Sequence, residues 1–223
     1  LEEEEVNVMK LMVKLKDSAL LPAICFQMNN ISCFKIAMDL LTKLEEAEDS
    51  KYPDFKKNKE KKVKQWKKWN DKNEKQKAEM TEKQFVKHVA KGDEELEYVE
   101  KPDLSAPHPE FIIAKSQFFT EDKIKEIKWM LKYDFKGYGD ELHPVIRALY
   151  RGIGIYINGM PHSYLRLVQK LAQQKKLGVV FSDEQLAFGV SMPFKTSCLF
   201  KDIHQPDTLN SLLNLQASGR AGR

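Results

Sequence analysis

The chain has 223 residues, enough for one α/β domain with an addition or for two small domains. Hydrophobic residues make up 42% and charged residues 31%, so a core can form, yet no apolar run reaches the roughly 18–20 residues of a membrane span. Leu1 is followed by four glutamates, which excludes a signal peptide at this end, and the absence of a starting Met predicts a piece of a longer protein.

Cysteine usage indicates a reducing compartment. The chain has three cysteines, an odd number, and each lies in an apolar stretch of sequence: Cys25, Cys33 and Cys198. This usage is typical of free thiols in a cytosolic or nuclear protein. Neither a CxxC nor an HExxH pattern occurs, so we expect no metal site. We expect a cytoplasmic location and no membrane partner.

Charge is distributed unevenly along the chain. Residues 51–91 hold 15 lysines, no arginine and six acids, a local charge of +9 that leaves −5 for the rest of the +4 chain. All five arginines lie at or after residue 147. Lysine carries a flexible point charge, whereas the rigid guanidinium group of arginine can form paired hydrogen bonds with a phosphate. The side chains best shaped for phosphate binding therefore lie toward the C-terminal end.

The first 50 residues read as the start of an α/β unit. The apolar run at 20–26 predicts a strand buried on both faces, and Asn29 and Asn30 interrupt it. Ser32 is the predicted cap of the following helix. Its predicted apolar face consists of Phe34, Met38, Leu41 and Leu44.

Residues 51–101 predict a lysine-rich, mostly helical insertion. We expect a turn at residues 70–73, then a second helix that begins with a capping box at Thr81 and Gln84 and ends at Gly92. One interpretation is a solvated hairpin without a ligand, because charge runs are usually solvated. The other is a nucleic-acid surface in which phosphates meet lysines and bases stack on indoles. Its candidate residues are Lys64, Lys67, Lys68, Trp66 and Trp69.

Residues 102–223 alternate helices and short strands after a proline-containing linker. Helices are predicted from Thr120 to about Gly137, from Pro144, and through Leu165 and Leu171. Strands are predicted at 153–157, 179–181 and 196–200, with a turn at 158–159 after the first of them. The predicted fold class is α/β, a largely parallel sheet flanked by helices.

The C-terminal residues carry the sharpest chemical signal. Residues 216–223 read Gln-Ala-Ser-Gly-Arg-Ala-Gly-Arg. Two arginines three positions apart share a helix face, and glycines leave room for a ligand, an arrangement that suits a polyphosphate. Read alone, the same residues could be a frayed terminus.

This string resembles motif VI of superfamily 2 helicases, in the form found in superkiller-type DExH-box RNA helicases. Residues 181–193 resemble their motif V, residues 154–160 resemble the stretch that this family writes Gly-Ile-x-His-His-x-Gly, and residues 22–27 resemble motif IV. The order and spacing match. The resemblance implies the second RecA-like domain, with 51–101 as an insertion most like that of the interferon-inducible antiviral DExD/H-box branch.

The resemblance also implies site residues. Arg220, Arg223 and Gln216 would act on the phosphates of ATP, and Gly189, Ser191 and Gly219 would line the nucleotide. Single-stranded or partly duplex RNA would cross the loops that contain Gly159, Ser182, Asp183 and Gln185. Asp183 and Gln185 replace the family's threonines, Ser191 replaces an asparagine, and Tyr156 and Ile157 replace the His pair.

The sequence lacks a phosphate-binding loop and a DExH box. The resemblance therefore implies the C-terminal domain of an ATP-dependent RNA helicase that is inactive without its first RecA-like domain, which would hold Mg²⁺. The alternative is a non-catalytic RNA-binding or regulatory scaffold derived from a helicase. A DNA helicase is a further alternative, because no residue reads a 2′-hydroxyl.

Overall fold

A computed structural model describes residues 7–79, 106–114, 127, 129, 143–183, 193–200 and 219. The chain divides into two compact units. Unit 1 comprises Leu1–Glu48 and Pro107–Arg223, and unit 2 comprises Asp49–Ala106. The predicted domain boundaries at 50/51 and 101/102 stay predictions.

Unit 1 is an α/β unit. Its described helices are α1 (Val8–Asp17), α2 (Asn30–Lys51, which continues into unit 2), α4 (Pro144–Tyr150) and α5 (His162–Gln173), with a 3₁₀ turn at Pro109–Phe111. Its described strands are β1 (Ala23–Phe26), β2 (Ile153–Tyr156), β3 (Val179–Ser182) and β4 (Thr196–Leu199). Among the described residues, no helix is both long and apolar enough to cross a membrane.

The four strands form one parallel sheet in the order β2-β3-β1-β4. Every residue of β1, β2 and β3 is buried, as expected for strands covered on both faces. The predicted α/β fold class, with a parallel sheet flanked by helices, is confirmed. Each predicted strand is present, although β1 is shorter than the apolar run at 20–26.

Helix α5 covers the sheet with a regular apolar face. The face consists of Tyr164, Leu167, Val168, Leu171 and Ala172. The hydroxyl of the fully buried Tyr164 accepts a hydrogen bond from the Ile155 backbone N–H of β2 at 3.3 Å. The helix therefore satisfies a donor of the sheet that would otherwise be buried without a partner.

Helix α2 begins one residue after its actual cap, Asn29. The side-chain oxygen of Asn29 accepts a hydrogen bond from the Ser32 N–H at 3.0 Å, so Ser32 lies in the first turn. The prediction that Ser32 caps the helix was wrong, because asparagine accepts this bond as well as serine does and precedes it in the chain. Leu41 and Leu44 are buried as predicted, whereas Phe34 and Met38 are only half-buried.

A buried ion pair fixes the points where the chain leaves and re-enters unit 1. Arg151 donates to Glu48 at 2.8 Å, and both side chains are almost completely buried. The same carboxylate oxygen accepts a hydrogen bond from the His108 N–H at 3.1 Å. The last residue of the first segment is therefore joined directly to the start of the second.

The described part of unit 2 is dominated by helix α3 (Phe55–Glu79). The helix runs without interruption through residues 70–73, so the turn predicted there was wrong. Asn and Asp are only modestly unfavourable inside a helix, and Asn70 donates to Glu74 one turn later at 3.1 Å. Thr81, Gln84 and Gly92 lie outside the described residues.

The helix predicted from Thr120 to about Gly137 is described at only two positions. Ile127 is helical and buried, and Trp129 is helical and exposed. Both positions lie within the predicted helix, and its predicted ends lie outside the described residues.

Candidate nucleic-acid and nucleotide site

Two of the predicted RNA-binding loops meet at the carboxyl edge of the parallel sheet. The loop after β2 contains Asn158 and Gly159, and the loop after β3 begins at Asp183. The Asn158 N–H donates to Asp183 Oδ2 at 2.6 Å. The short distance is typical of a charge-assisted hydrogen bond, which fastens one loop to the other.

Ser182 adds a second connection beneath the loops. Its hydroxyl lies 2.9 Å from the Tyr156 carbonyl and 3.0 Å from the Asp183 carbonyl. The Gln27 N–H, at the end of β1, donates to the Ser182 carbonyl at 3.0 Å. The ends of three neighbouring strands are thus tied together by backbone and side-chain hydrogen bonds.

Gly159 forms the exposed tip of the first loop. Its φ of +89° lies in the region that disfavours residues with a Cβ, which explains a glycine in this turn. Among the described residues, and apart from the two chain neighbours of Gly159, no atom lies within 4 Å of the place where a Cβ would be. The described part of the chain therefore leaves space beside the backbone at this tip.

The side chains of Ser182 and Asp183 point inward. Ser182 is completely buried and Asp183 is 3% exposed. In this structure they shape the loops, and a ligand at this edge would meet the backbone at Gly159 instead. The carboxylate of Asp183 is also directed at an N–H group, not at the solvent in which a phosphate would lie.

Cys33 lies beneath the same loops, in the first turn of α2. Burial, and next the negative charge of Asp183, raise the pKa of its thiol to about 12, against the opposing effect of a hydrogen bond with the Gln27 backbone. Gln27 also orders the start of α2, because its side-chain oxygen accepts a hydrogen bond from the Asn29 N–H at 3.1 Å. Sequence reasoning placed Gln27 only at the end of a strand, although a polar residue at that position signals a loop contact.

Cys25 and Cys198 face each other on β1 and β4, and all three cysteines are free. A hydrogen bond with Cys25 lowers the pKa of the partly exposed Cys198 thiol to about 7, against the effect of burial. The same bond, together with complete burial, raises the pKa of the Cys25 thiol well above its usual range. Within the described ranges, no three His, Cys, Asp or Glu side chains are arranged to hold a metal ion.

Most predicted nucleotide-binding residues fall outside the described ranges. These residues are Gly189, Ser191, Gln216, Arg220 and Arg223, and Gln185, which was predicted to contact RNA, lies outside the described ranges as well. Gly219, which precedes the first of the two C-terminal arginines, lies in an exposed turn. The structure thus brings together Gly159, Ser182 and Asp183 and leaves the arginine pair as a prediction.

Two other arginines are engaged inside unit 1. Arg147 binds Glu45 at 2.9 Å, and Arg151 binds Glu48 as described above. Each pair joins residues more than 100 positions apart, which the sequence alone does not show. Arg166 is exposed on α5.

The three lysines predicted to bind nucleic acid, Lys64, Lys67 and Lys68, are all exposed on α3. Trp66 and Trp69 are half-buried. Eight lysines and one glutamate between residues 56 and 68 give this part of the helix a charge of +7.

Comparison with known proteins finds helicases. The chain is 30% identical over 223 aligned residues to an uncharacterized helicase of Caenorhabditis elegans. The alignment covers 97% of this chain and 13% of that helicase. The chain is 41% identical over 80 residues to an uncharacterized helicase of Dictyostelium discoideum. That alignment covers 36% of this chain and 4% of the helicase. No protein-family model matches the chain.

The chain therefore spans a small part of the length of these relatives. Its similarity to helicases nevertheless extends over nearly all of its residues, and its parallel four-stranded sheet is consistent with a RecA-like helicase domain. The chain is helicase-related.

Proposed function

We propose that this chain is the second RecA-like domain of an ATP-dependent RNA helicase of the superkiller type, and that it works in the cytoplasm with a first RecA-like domain. The observation that carries the proposal is the hydrogen bond between Asp183 and Asn158, which unites the two loops expected to contact RNA. Ligands of open parallel α/β sheets bind at the carboxyl ends of the strands, where these loops lie.

The loops offer RNA a backbone surface. The exposed tip at Gly159 lets a phosphate approach closely, and the inward carboxylate of Asp183 avoids like-charge repulsion with that phosphate. Contacts of this kind hold the sugar–phosphate chain and carry no sequence information. We therefore propose binding of single-stranded or partly duplex RNA without base preference at this edge.

The nucleotide role belongs to the C-terminal residues. Arg220 and Arg223, with Gln216, would neutralise charge on the ATP phosphates, while Gly189, Ser191 and Gly219 would lie along the nucleotide. ATP, with Mg²⁺ held by the first RecA-like domain, would supply the energy of phosphate hydrolysis. The helicase names of the two relatives and the motif VI resemblance support this assignment.

The test uses a polypeptide that joins this chain to a first RecA-like domain. Replacing Arg220 or Arg223 with Ala should reduce RNA-stimulated ATP hydrolysis by about 10³-fold, the usual effect of losing an arginine finger. The matched control is Arg166→Ala, since Arg166 is an exposed arginine of α5 far from the C-terminal motif in sequence. Equal losses in all three variants, or ATP hydrolysis by the isolated chain that depends on Arg220, would contradict the proposal.

The second candidate is a non-catalytic RNA-binding scaffold, and an antiviral role is compatible with either. The scaffold is favoured by Asp183, which stands where the helicase family that the chain resembles has a threonine that contacts RNA. The carboxylate of Asp183 instead accepts a hydrogen bond from the Asn158 N–H of this chain. RNA binding by the joined polypeptide without measurable ATP hydrolysis would favour the scaffold.

A further inference from the structure

The uninterrupted course of α3 aligns six of its lysines. At about 100° per residue, they fall within an arc of about 80° and extend along about 27 Å of the helix. We call this surface the lysine ridge: Lys57, Lys61, Lys64, Lys68, Lys72 and Lys75. A turn at residues 70–73 would have broken this alignment, so the ridge was not foreseeable from the predicted hairpin.

The ridge is exposed along its whole length. In the part of the chain that the structure describes, no carboxylate lies within ion-pair distance of Lys61, Lys64 or Lys68, and Asp54 approaches Lys57 only to 3.9 Å. Glu60 and Asp71 border the ridge on one side.

The opposite face of α3 is half-buried. It consists of Phe55, Lys59, Val63, Trp66, Asn70 and Asn73. Lys59 lies over the Phe55 ring at 4.6 Å, so this lysine belongs to the half-buried face. Trp66 lies about 180° from Lys57 around the helix axis, and Trp69 lies between the two faces. The ridge therefore presents charge without aromatic rings.

These features fit a nucleic-acid duplex better than a single strand. Proteins that hold single strands combine positive charge with aromatic side chains on which bases stack, and the ridge has no such rings. A duplex exposes phosphates, one negative charge per roughly 1.7 Å of its axis, and it is stiff over distances far greater than the ridge. A straight row of lysines can therefore neutralise several phosphates of a duplex at once.

We infer that the lysine ridge is a second nucleic-acid site, which binds the phosphate backbone of an RNA duplex independently of base sequence. The choice of RNA rests on the proposed function, but the site lies on α3, outside the loops at the sheet edge. Lysine ammonium groups attract phosphates as point charges, and the deep, narrow major groove of an RNA duplex keeps its base edges away from side chains, so binding does not depend on base sequence. Of the three lysines predicted from the sequence, Lys64 and Lys68 belong to the ridge and Lys67 does not.

The test compares two double variants of equal charge. Lys64→Gln with Lys68→Gln removes ridge positions, and Lys62→Gln with Lys67→Gln removes exposed lysines of the same turns off the ridge. Glutamine has a helix propensity close to that of lysine, and circular dichroism checks that α3 is retained. Fluorescence anisotropy measures binding of a blunt-ended RNA duplex of about 24 base pairs, and separately of one of its strands. The salt concentration is varied between about 50 and 200 mM.

The ridge variant should weaken duplex binding about tenfold and reduce the log–log salt slope by about 2, because each lost phosphate contact removes about one from the slope. The control variant should weaken binding less than about threefold. Equal losses in both variants, a larger loss for the single strand than for the duplex in the ridge variant, or binding of anionic phospholipid vesicles without duplex binding would overturn the inference. Anisotropy needs no ATP hydrolysis, so failure of the ridge and failure of the helicase assignment give separate results.

Discussion

Glu45 and Glu48 are three positions apart on α2, and they bind Arg147 of α4 and Arg151, which directly follows α4, yet the surroundings of the two pairs differ. The Glu48–Arg151 pair is about 6–7% exposed, whereas Glu45 and Arg147 are 28% and 36% exposed. Taking one partner from a buried pair leaves an uncompensated charge, while a partly exposed charge is screened by water. Burial, not the type of pair, therefore decides how much each contributes to stability.

Glu48→Ala should lower the free energy of unfolding by about 3–5 kcal/mol, because Arg151 would stay buried without its carboxylate. Glu45→Ala is the matched control and should cost about 1 kcal/mol or less. Urea unfolding followed by circular dichroism measures both values. Similar costs for the two variants would mean that burial does not strengthen the Glu48 pair.

The facing thiols of β1 and β4 predict selective chemistry. With a pKa of about 7, a substantial fraction of Cys198 is thiolate at neutral pH, and it is partly exposed. Iodoacetamide at pH 7 should therefore alkylate Cys198 before Cys25 or Cys33, which are buried and have raised pKa values. Mass spectrometry of time points measures the three rates.

Cys25→Ala should raise the pKa of Cys198 and slow its alkylation at pH 7, because the variant loses the hydrogen bond that stabilises the thiolate. Cys33→Ala is the control and should leave the rate at Cys198 unchanged. If the Cys25 variant reacts as fast as the parent at pH 7, that hydrogen bond does not set the reactivity of Cys198.

At the scale of elements, the short helix α4 depends on a neutral histidine. His143 Nδ1 accepts a hydrogen bond from the Val145 N–H at 3.3 Å and so caps the helix. Burial, and then the positive charge of Arg147, lowers the pKa of His143 below its usual value of about 6.5. Protonation would convert the capping acceptor into a donor.

The unfolded chain therefore binds a proton more readily than the folded chain does, and the stability contributed at His143 is present above about pH 6.5 and is lost as the pH falls below it. His143→Asn keeps a capping oxygen without a titrating group, so its free energy of unfolding should fall less than that of the parent between pH 7 and pH 5. His162→Asn, at an exposed histidine of α5, is the control. Parallel pH profiles for the parent and His143→Asn would contradict this role.

The elements that the sequence predicted best are those with local signals. Pro144 begins α4, the predicted α5 is present with Leu171 buried and Leu165 half-buried, and the strands match short apolar runs. Helix α1 was not predicted, although Asn7 caps it and Val8, Met12 and Leu15 are buried at helical spacing. The local pattern was sufficient there and was overlooked.

The site was less predictable because its geometry depends on distant residues. The sequence could place Gly159 and Asp183 in loops but could not show that Asp183 binds Asn158, 25 positions away. The Glu48–Arg151 pair spans 103 positions for the same reason. On α3, turn propensity at residues 70–73 gave a wrong break, because helix-forming neighbours outweigh the small cost of Asn and Asp.

At the scale of the whole molecule, one carboxylate joins the two segments of unit 1. Because Glu48 contacts the His108 N–H, the stems of the intervening segment lie close together, and a linker of about four residues could connect them. Closing a shorter loop costs less conformational entropy than closing the native one. Shortening this connection should therefore not lower the free energy of unfolding of unit 1 through loop closure.

We therefore expect that replacing residues 50–106 with a four-residue Gly-Ser linker leaves the sheet of unit 1 folded. Hydrogen exchange of the paired amides in β1, β2 and β3 should stay protected to within about tenfold of the parent, because the Glu48–Arg151 pair and the sheet register are retained. Glu48→Ala in the shortened chain is the comparison, and it should lose protection because Arg151 would stay buried without its carboxylate and the His108 N–H would lose its acceptor. Loss of protection in the shortened chain with Glu48 intact would show that the sheet of unit 1 requires residues 50–106.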